Sequence, residues 1–245
     1  MARAALPRRL TWQIVPVVGH QRLTPTTWRV ALGTDGLEPH LAGQHLDVRL
    51  TAPDGYQAER SYSIASAPEA RNLELVVERL DDGEVSPYLT DVLQVGDDLE
   101  LRGPIGGYFV WHAGLGGPLQ LIAGGSGVAP FLAMLDHHEA SGSDAPARLL
   151  YSAKRLDEVI ERERLEEHRR RGVDVEITLT REQPPEWDGR IGRVSQQMLA
   201  EVLFPVTEEP QIFVCGPTAF VEAVADMAVA IGHAPERIKT ERFGG

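Results

Sequence analysis

The first half of the chain alternates between apolar and polar residues over short segments. In His45–Leu50 every second side chain is apolar, which is typical of a strand with one buried face. Glycine, proline and aspartate separate these segments and indicate turns. The pattern predicts six strands: Trp12–Val18, Trp28–Leu32, His45–Leu50, Ser61–Ile64, Leu73–Arg79 and Asp98–Leu101. Six short strands with no long helix between them predict a small antiparallel β-barrel.

The second half changes to apolar runs that alternate with segments of helical periodicity. The predicted strand–helix pairs are Leu119–Ala123 with Pro130–Glu139, Arg148–Ser152 with Leu156–Arg171, Val175–Thr180 with Val194–Val202, and Gln211–Cys215 with Ala219–Ile231. In the last helix, a three- and four-residue spacing predicts one buried stripe of Phe220, Val224, Met227 and Ile231. Repeated strand–helix units predict a doubly wound parallel α/β sheet, which binds ligands at the carboxyl ends of its strands.

The only clear linker in this pattern is the glycine–proline segment between the two halves, at residues 113–118. We therefore expect two domains, an antiparallel β-barrel over residues 1–114 and an α/β domain over residues 115–245. Gln211–Cys215 is expected to be the last strand of the second domain.

Composition narrows the class of protein. The 24 basic and 36 acidic residues give a formal charge of −12, which argues against nucleic acid or an anionic membrane as the main partner. The apolar runs are too short to cross a bilayer, and Met1–Leu10 lacks the apolar stretch of a signal peptide, so we expect a cytoplasmic protein. The charged run Glu161–Arg171 is interpreted as a solvated helix face, and His137 and His138 as surface residues.

The chain has one cysteine, Cys215. A single thiol cannot form an internal disulfide, a structural zinc site of several cysteines or a thiolate-ligated iron–sulfur cluster. We therefore expect no metal site and no iron–sulfur cluster supplied by this chain.

A glycine-rich turn follows the first strand of the second half. With no side chains at Gly124, Gly125 and Gly127, backbone N–H groups can approach a pyrophosphate, and the following helix adds partial positive charge. Pro130 fits the first turn of that helix. A strand–helix turn without a ligand would show the same residues. Downstream, Cys215 with Gly216 and Pro217 ends a predicted strand, although a lone cysteine is often simply buried there.

Two segments of the first half could also bind an anion. In Arg60-Ser61-Tyr62-Ser63, the rigid guanidinium of Arg60 suits a pyrophosphate, although an ordinary strand with Tyr62 in the core is an alternative. In the segment from Gly83 through Val85 to Leu89, Ser86 is predicted to cap a helix whose first turn contains Pro87. The free N–H groups of that turn could bind an anion, or the cap alone could explain the sequence.

Taken together, these motifs resemble the ferredoxin–NADP reductase superfamily over nearly the whole chain. The shared segments occur in family order: Arg60–Ser63, Gly83–Ser86, Gly103–Gly106, Gly124–Pro130 and Cys215–Pro217. The likeness is strongest to bacterial FAD-containing reductases that serve oxygenases. It implies an FAD-binding barrel domain followed by an NAD(P)-binding domain.

The resemblance also implies roles for particular residues. Arg60 and the segment with Gly83, Val85 and Ser86 would bind the FAD pyrophosphate, and Tyr62 and Ser63 would lie at the isoalloxazine. The nicotinamide nucleotide would contact Gly124, Gly125, Gly127, Pro130, Gly216 and Pro217. The implied catalytic residues are Ser63, Cys215, Glu241 and Phe243. Phe243 is followed by Gly244 and Gly245, whereas family chains often end at the aromatic, so these glycines also fit a linker to something further.

The second and third strands of the α/β domain end in positively charged loops. Ser152, Lys154 and Arg155 follow one strand and Arg181 follows the next, where the adenosine of the nucleotide is expected. Cationic and hydroxyl side chains there favour the 2′-phosphate of NADPH over NADH. Solvated loop arginines would look the same.

The function expected from the resemblance is transfer of hydride from NAD(P)H to bound FAD, followed by single-electron transfer to a separate acceptor protein. Ferredoxin, an oxygenase component or another flavoprotein are the expected classes of acceptor. Two alternatives remain, a flavin reductase that uses free flavin as a substrate and a non-catalytic nucleotide-binding subunit.

Overall fold

The computed structural model describes residues 10–243, which form two sheets of six strands each. The basic N-terminal segment before Leu10 and the trailing Gly244 and Gly245 lie outside the described residues. The first sheet is antiparallel, in the order β4-β3-β6-β1-β2-β5. Its strands are β1 (Gln13–Arg22), β2 (Thr27–Leu32), β3 (His45–Thr51), β4 (Gln57–Ser63), β5 (Leu73–Glu78) and β6 (Asp98–Ile105). All six predicted strands are present.

The first sheet closes on itself. Beyond the end of β4, Ile64 forms a bridge with Leu75 of β5, and the Ala65 N–H donates to the Glu74 carbonyl at 2.8 Å. The two outermost strands are thereby joined, and the sheet encloses an apolar core to which Leu46 and Val48 of the alternating segment contribute. The predicted antiparallel barrel is confirmed.

The second sheet is parallel, in the order β10-β9-β8-β7-β11-β12. Its strands are β7 (Leu119–Gly124), β8 (Ala147–Ala153), β9 (Asp174–Leu179), β10 (Arg190–Ile191), β11 (Gln211–Pro217) and β12 (Ile238–Phe243), and its helices are α1 (Ala129–Ala140), α2 (Arg162–Arg170), α3 (Gln196–Val202) and α4 (Thr218–Ile231). One face packs on α1 and α2 and the other on α3 and α4. The doubly wound α/β fold is therefore confirmed.

The prediction that Gln211–Cys215 is the last strand is wrong. Strand β12 follows it and pairs in parallel with β11, so that Glu241 lies directly beside Cys215. The pattern did not indicate this strand because β12 lies at the edge of the sheet and Ile238 is its only fully buried residue. The extra strand matters because it carries Glu241 and Phe243 to the carboxyl end of β11.

The predicted helix cap at Ser86 is also wrong. The Ser86 hydroxyl accepts the Leu80 N–H at 3.1 Å, and the single π-helical turn at Tyr88–Val92 has no side-chain cap. Ser86 is buried, and a Cβ on Gly83 would lie 2.9 Å from its Oγ. The hydroxyl closes the preceding loop over Gly83 instead of capping the turn that follows.

Three other helical expectations need correction. The buried face of α4 consists of Val221, Val224 and Ala228, whereas Phe220, Met227 and Ile231 are only partly buried. Helix α2 is not simply a solvated face, because it buries Leu165 and His168. His137 and His138 are half-buried, and both rings contact Trp111 at centroid distances of 5.7 and 5.4 Å. Within residues 10–243, no helix combines the length and apolar character needed to cross a membrane.

Candidate functional site

The two sheets meet at two cross-strand pairs. In the barrel, His45 of β3 lies opposite Ser63 of β4, and in the parallel sheet Cys215 of β11 lies beside Glu241 of β12. The Ser63 hydroxyl reaches Glu241 Oε2 at 3.5 Å, and His45 Nδ1 lies 3.7 Å from Glu241 Oε1. Three of the predicted catalytic residues are therefore brought together. His45 was missed, although its place opposite Ser63 follows once the two strands are paired.

Burial controls the protonation of this group. It raises the pKa of Glu241 to about 7, and the hydrogen bond from Ser63 acts in the opposite direction. Burial also raises the pKa of the Cys215 thiol, with the nearby Glu241 charge adding to the effect. The pKa of His45 is lowered by burial, partly offset by Asp47. Near neutral pH the thiol is therefore neutral, and Glu241 is the group that can gain or lose a proton.

The glycine-rich turn joins β7 to α1, and its three glycines differ in surroundings. A Cβ on Gly127 would lie 2.3 Å from the Cys215 carbonyl oxygen, and one on Gly124 would lie 2.9 Å from the Phe220 ring. Gly125 has φ +57° and no heavy atom within 4 Å of its Cβ position. Close packing therefore requires Gly124 and Gly127, whereas Gly125 leaves the turn open. Pro130 lies in the first turn of α1, as predicted.

A cavity of about 200 Å³ lies between the barrel and this turn. Six predicted site residues line it: Gly124, Gly125, Ser152, Lys154, Pro217 and Phe243. The barrel contributes Thr26, Thr27 and Glu78, and sequence reasoning missed all three. In the sequence, these three residues have the pattern of a turn and a strand end. Only the packing of the second domain against the barrel shows that they face the cavity. Gly216 is not in the lining, and a Cβ there would lie 2.9 Å from the Phe220 ring.

A second, more open groove of about 590 Å³ lies beyond Lys154, between the loop that begins at Arg155 and the loop of residues 182–185. The cations predicted there have acidic partners. Arg155 lies 3.3 Å from Asp157 and 3.1 Å from Glu158, and Lys154 lies 3.8 Å from Glu158. The Arg181 backbone N–H donates to the Lys154 carbonyl at 3.0 Å, but Arg181 lines neither cavity. The positive charges of Lys154 and Arg155 are thus paired with carboxylates.

The candidate pyrophosphate residues of the barrel lie near each other. Arg60 is exposed on β4, and its guanidinium lies 3.1 Å from the carboxylate of Glu84, which also accepts the Tyr56 hydroxyl at 2.6 Å. Glu84 belongs to the same loop as Gly83, Val85 and Ser86. The Val85 side chain is fully buried and the Ser86 hydroxyl is already engaged, so the backbone of this loop is what remains for a ligand.

The sequence left two interpretations of Tyr62, as a residue of the barrel core or as a residue at the isoalloxazine. Its side chain is partly buried and packs against the barrel core. Burial raises the pKa of its phenol to about 12, so the hydroxyl stays protonated. Tyr62 directly precedes Ser63 in the chain, and its cross-strand partner is Leu46 of β3.

Two family models match consecutive parts of the chain. The oxidoreductase FAD-binding domain matches residues 15–110, and the oxidoreductase NAD-binding domain matches residues 121–226. The chain is 30% identical over 203 residues to the toluate 1,2-dioxygenase electron transfer component of Pseudomonas putida, covering 83% of this chain and 58% of that protein. It is 32% identical over 207 residues to the glycine betaine monooxygenase reductase subunit of Chromohalobacter salexigens, covering 82% of this chain and 55% of that protein. It therefore spans little more than half of either relative.

A solved structure shows the same architecture. The FAD/NAD-binding domain of nitric oxide dioxygenase from Vibrio cholerae superposes with a TM-score of 0.84 at 25% identity, covering 95% of this chain and 98% of that one. The barrel and the parallel sheet follow each other in the order in which the two family models match. The chain belongs to the ferredoxin–NADP reductase superfamily, with an oxidoreductase FAD-binding domain followed by an oxidoreductase NAD-binding domain.

Proposed function

We propose that this protein is an FAD-dependent NAD(P)H oxidoreductase that passes electrons to a separate acceptor protein. The observation that carries the proposal is the meeting of the His45–Ser63 pair of the barrel with the Cys215–Glu241 pair of the parallel sheet, beside a cavity walled by both domains. Bound FAD would supply the chemistry, by accepting hydride from the nicotinamide and releasing electrons singly. The proposed domains are residues 1–114 and 115–245.

The residues of this chain would position the two reactants and manage a proton. Ser63 and Cys215 approach the reaction centre from opposite domains, where they would orient the flavin and the nicotinamide. Glu241 lies between them, and a carboxyl group with a pKa near 7 can hold or release a proton at the operating pH. Phe243 lines the cavity and pairs in register with Pro217, where it would limit the space for the nicotinamide.

The barrel would hold FAD through Arg60 and the backbone of the loop with Gly83. The exposed Arg60 guanidinium fits a pyrophosphate, but it must leave Glu84 to reach one. We predict that Arg60→Ala protein is purified with far less FAD than wild type. The absorbance ratio at 450 and 280 nm measures this. Arg193→Ala, at an exposed position of the other domain, is the control. Full FAD occupancy in Arg60→Ala would remove Arg60 from the flavin site.

We further propose NADH as the preferred donor, which revises the NADPH expectation. Lys154 and Arg155 are paired with Glu158 and Asp157, and Glu158 itself lines the cavity. A carboxylate at this edge repels a 2′-phosphate and accepts hydrogen bonds from ribose hydroxyls.

Glu158→Gln tests this assignment. Removing the charge frees Lys154 and takes away one of the two acidic partners of Arg155. We therefore expect the ratio of kcat/KM for NADPH to that for NADH to rise about 10-fold, which corresponds to about 1.4 kcal/mol. Glu163→Gln, in the first turn of α2, is the matched change of charge. A wild-type protein that already prefers NADPH would contradict the assignment.

The separate acceptor rests on the relatives. Two of them are an oxygenase electron transfer component and a monooxygenase reductase subunit, which act with other components. One observation favours the alternative of a reductase that uses free flavin as a substrate, namely that Arg60 is exposed and already paired. Protein purified without flavin that nevertheless reduces added FAD with NADH would establish that alternative.

A further inference from the structure

A hydrogen bond ties the glycine-rich turn to the barrel. Ser126 lies within this turn, and its hydroxyl donates to Glu78 Oε2 at 2.7 Å. Glu78 is the last residue of β5, opposite Thr27 of β2. Both Ser126 and Glu78 line the cavity between the domains. A carboxylate of one domain is thus seated at the anion-binding turn of the other.

The charge of Glu78 is not balanced locally. No lysine or arginine among residues 10–243 forms an ion pair with it, and the only cation in the cavity lining, Lys154, faces Glu158. Burial raises the pKa of the Tyr151 phenol, and the negative charge of Glu78 adds to that effect.

A carboxylate oxygen and a phosphate oxygen would each accept a hydrogen bond from the Ser126 hydroxyl. Both are anionic acceptors for an O–H donor, and both are attracted to the backbone N–H groups at the start of a helix. Two such anions cannot share one hydroxyl without repulsion. An incoming diphosphate must therefore compete with the carboxylate that is already there.

We propose that Glu78 is an internal competitor of the nucleotide diphosphate and thereby sets the affinity of the site. In the unliganded protein it holds the Ser126 hydroxyl, and on binding the hydroxyl turns from the carboxylate to a phosphate oxygen. This inference rests on the proposed function, because the competing ligand is the diphosphate of the dinucleotide. It assigns to Glu78 a role that opposes binding, unlike a residue that merely fastens the turn to the barrel.

The direction in which a mutation of Glu78 changes the affinity for a diphosphate distinguishes a competitor of the ligand from a residue that only fastens the turn. Glu78→Gln keeps the shape and a weaker acceptor for Ser126 but removes the charge. If Glu78 competes with the ligand, the variant binds a diphosphate more tightly. If Glu78 only fastens the turn, the variant binds equally well or more weakly, since the turn is held less firmly.

The experiment is calorimetric titration of the FAD-loaded protein with ADP-ribose, which carries the diphosphate but no nicotinamide. We expect Glu78→Gln to bind about 3- to 10-fold more tightly than wild type at low salt, with a smaller difference at 0.5 M salt. Glu208→Gln removes the same charge from the turn that precedes β11, at the amino ends of the parallel strands and away from the cavity, and should bind like wild type. Unchanged or weaker binding by Glu78→Gln would overturn the proposal.

Ser126→Ala provides a second arm. In the wild-type background the lost phosphate contact is offset by the lost competition, so we expect less than a 2-fold change in affinity. In the Glu78→Gln background the hydroxyl is freer to serve the phosphate, so its removal should weaken binding 3-fold or more. Equal effects in both backgrounds would contradict the switch of partner. A wild-type protein that binds no ADP-ribose would instead refute the nucleotide site itself, and with it the proposed function.

Discussion

The pKa of Glu241 is set by its surroundings in the fold. It is an ordinary carboxyl group in the sequence, but the fold places it between Ser63 and Cys215 with 22% of its side chain exposed. The removal of water disfavours its charged form and raises its pKa to about 7. The same residue is therefore costly to ionise and useful as a proton carrier.

We predict a pH-dependent stability difference between wild type and Glu241→Gln. The pKa of this acid is higher in the folded than in the unfolded protein, so the folded state binds the proton more tightly. The free energy of unfolding of wild type should fall relative to the variant by about 3 kcal/mol as pH rises from 4.5 to above 7. Denaturant unfolding at several pH values measures this. A constant difference across that range would show that Glu241 is not perturbed.

Gly125 and Gly127 offer a second comparison at the scale of single residues. Gly127→Ala places a Cβ 2.3 Å from a carbonyl oxygen of β11, so the turn or the strand must shift, and we expect a loss of about 3 kcal/mol of stability. Gly125→Ala meets no atom within 4 Å and pays only for its positive φ, about 1 kcal/mol. Because its methyl group points into the open side of the turn, it should mainly weaken ADP-ribose binding. Equal stability losses in denaturant unfolding would contradict this account.

At the scale of elements, α2 joins the two domains. Arg164 donates to the Ala65 carbonyl at 3.0 Å, lies 3.4 Å from Glu74 of β5 and also pairs with Asp136 of α1. Nearby, Arg29 of β2 lies 3.3 Å from Glu161, whose pKa burial raises. The sequence predicted a charged, solvated helix face here. The helix instead forms part of the contact between the two domains.

We predict that Arg164→Met destabilises the protein by about 3 kcal/mol, because it removes the buried guanidinium that joins Asp136, Glu74 and the Ala65 carbonyl. Arg170→Met is the control on the same helix, where 68% of the side chain is exposed and the expected cost is below about 1 kcal/mol. Unfolding followed separately by flavin release and by circular dichroism would show the difference. Similar losses in the two variants would contradict an interdomain role for Arg164.

The elements differ in how well the sequence predicts them. The alternation within β3 and the apolar run of β7 are visible in the local sequence, and both strands were predicted. Strand β12 was missed because an edge strand with one buried residue lacks a periodic signature. The Ser86 cap failed because the hydroxyl had a competing partner, the Leu80 N–H, that local pattern does not reveal.

At the scale of the whole molecule, the order of the motifs was enough to predict the architecture but not the site between the domains. The contacts that build that site join residues far apart in the chain: Ser126 with Glu78, Arg164 with Ala65, and Ser63 with Glu241. The sequence predicted half of the residues that the α/β domain contributes to the cavity lining, and it missed Ser126 and Glu158. It could not predict the barrel residues that face them, because their exposure depends on how the two domains pack.

The most direct test of the proposed function is an anaerobic visible spectrum of the purified protein, titrated separately with NADH and NADPH. We predict a yellow protein whose flavin absorbance near 450 nm is bleached stoichiometrically by NADH and less readily by NADPH. Such a result would establish bound flavin, hydride transfer and donor preference in one experiment. A protein that binds FAD but is bleached by neither nucleotide would contradict the proposed function.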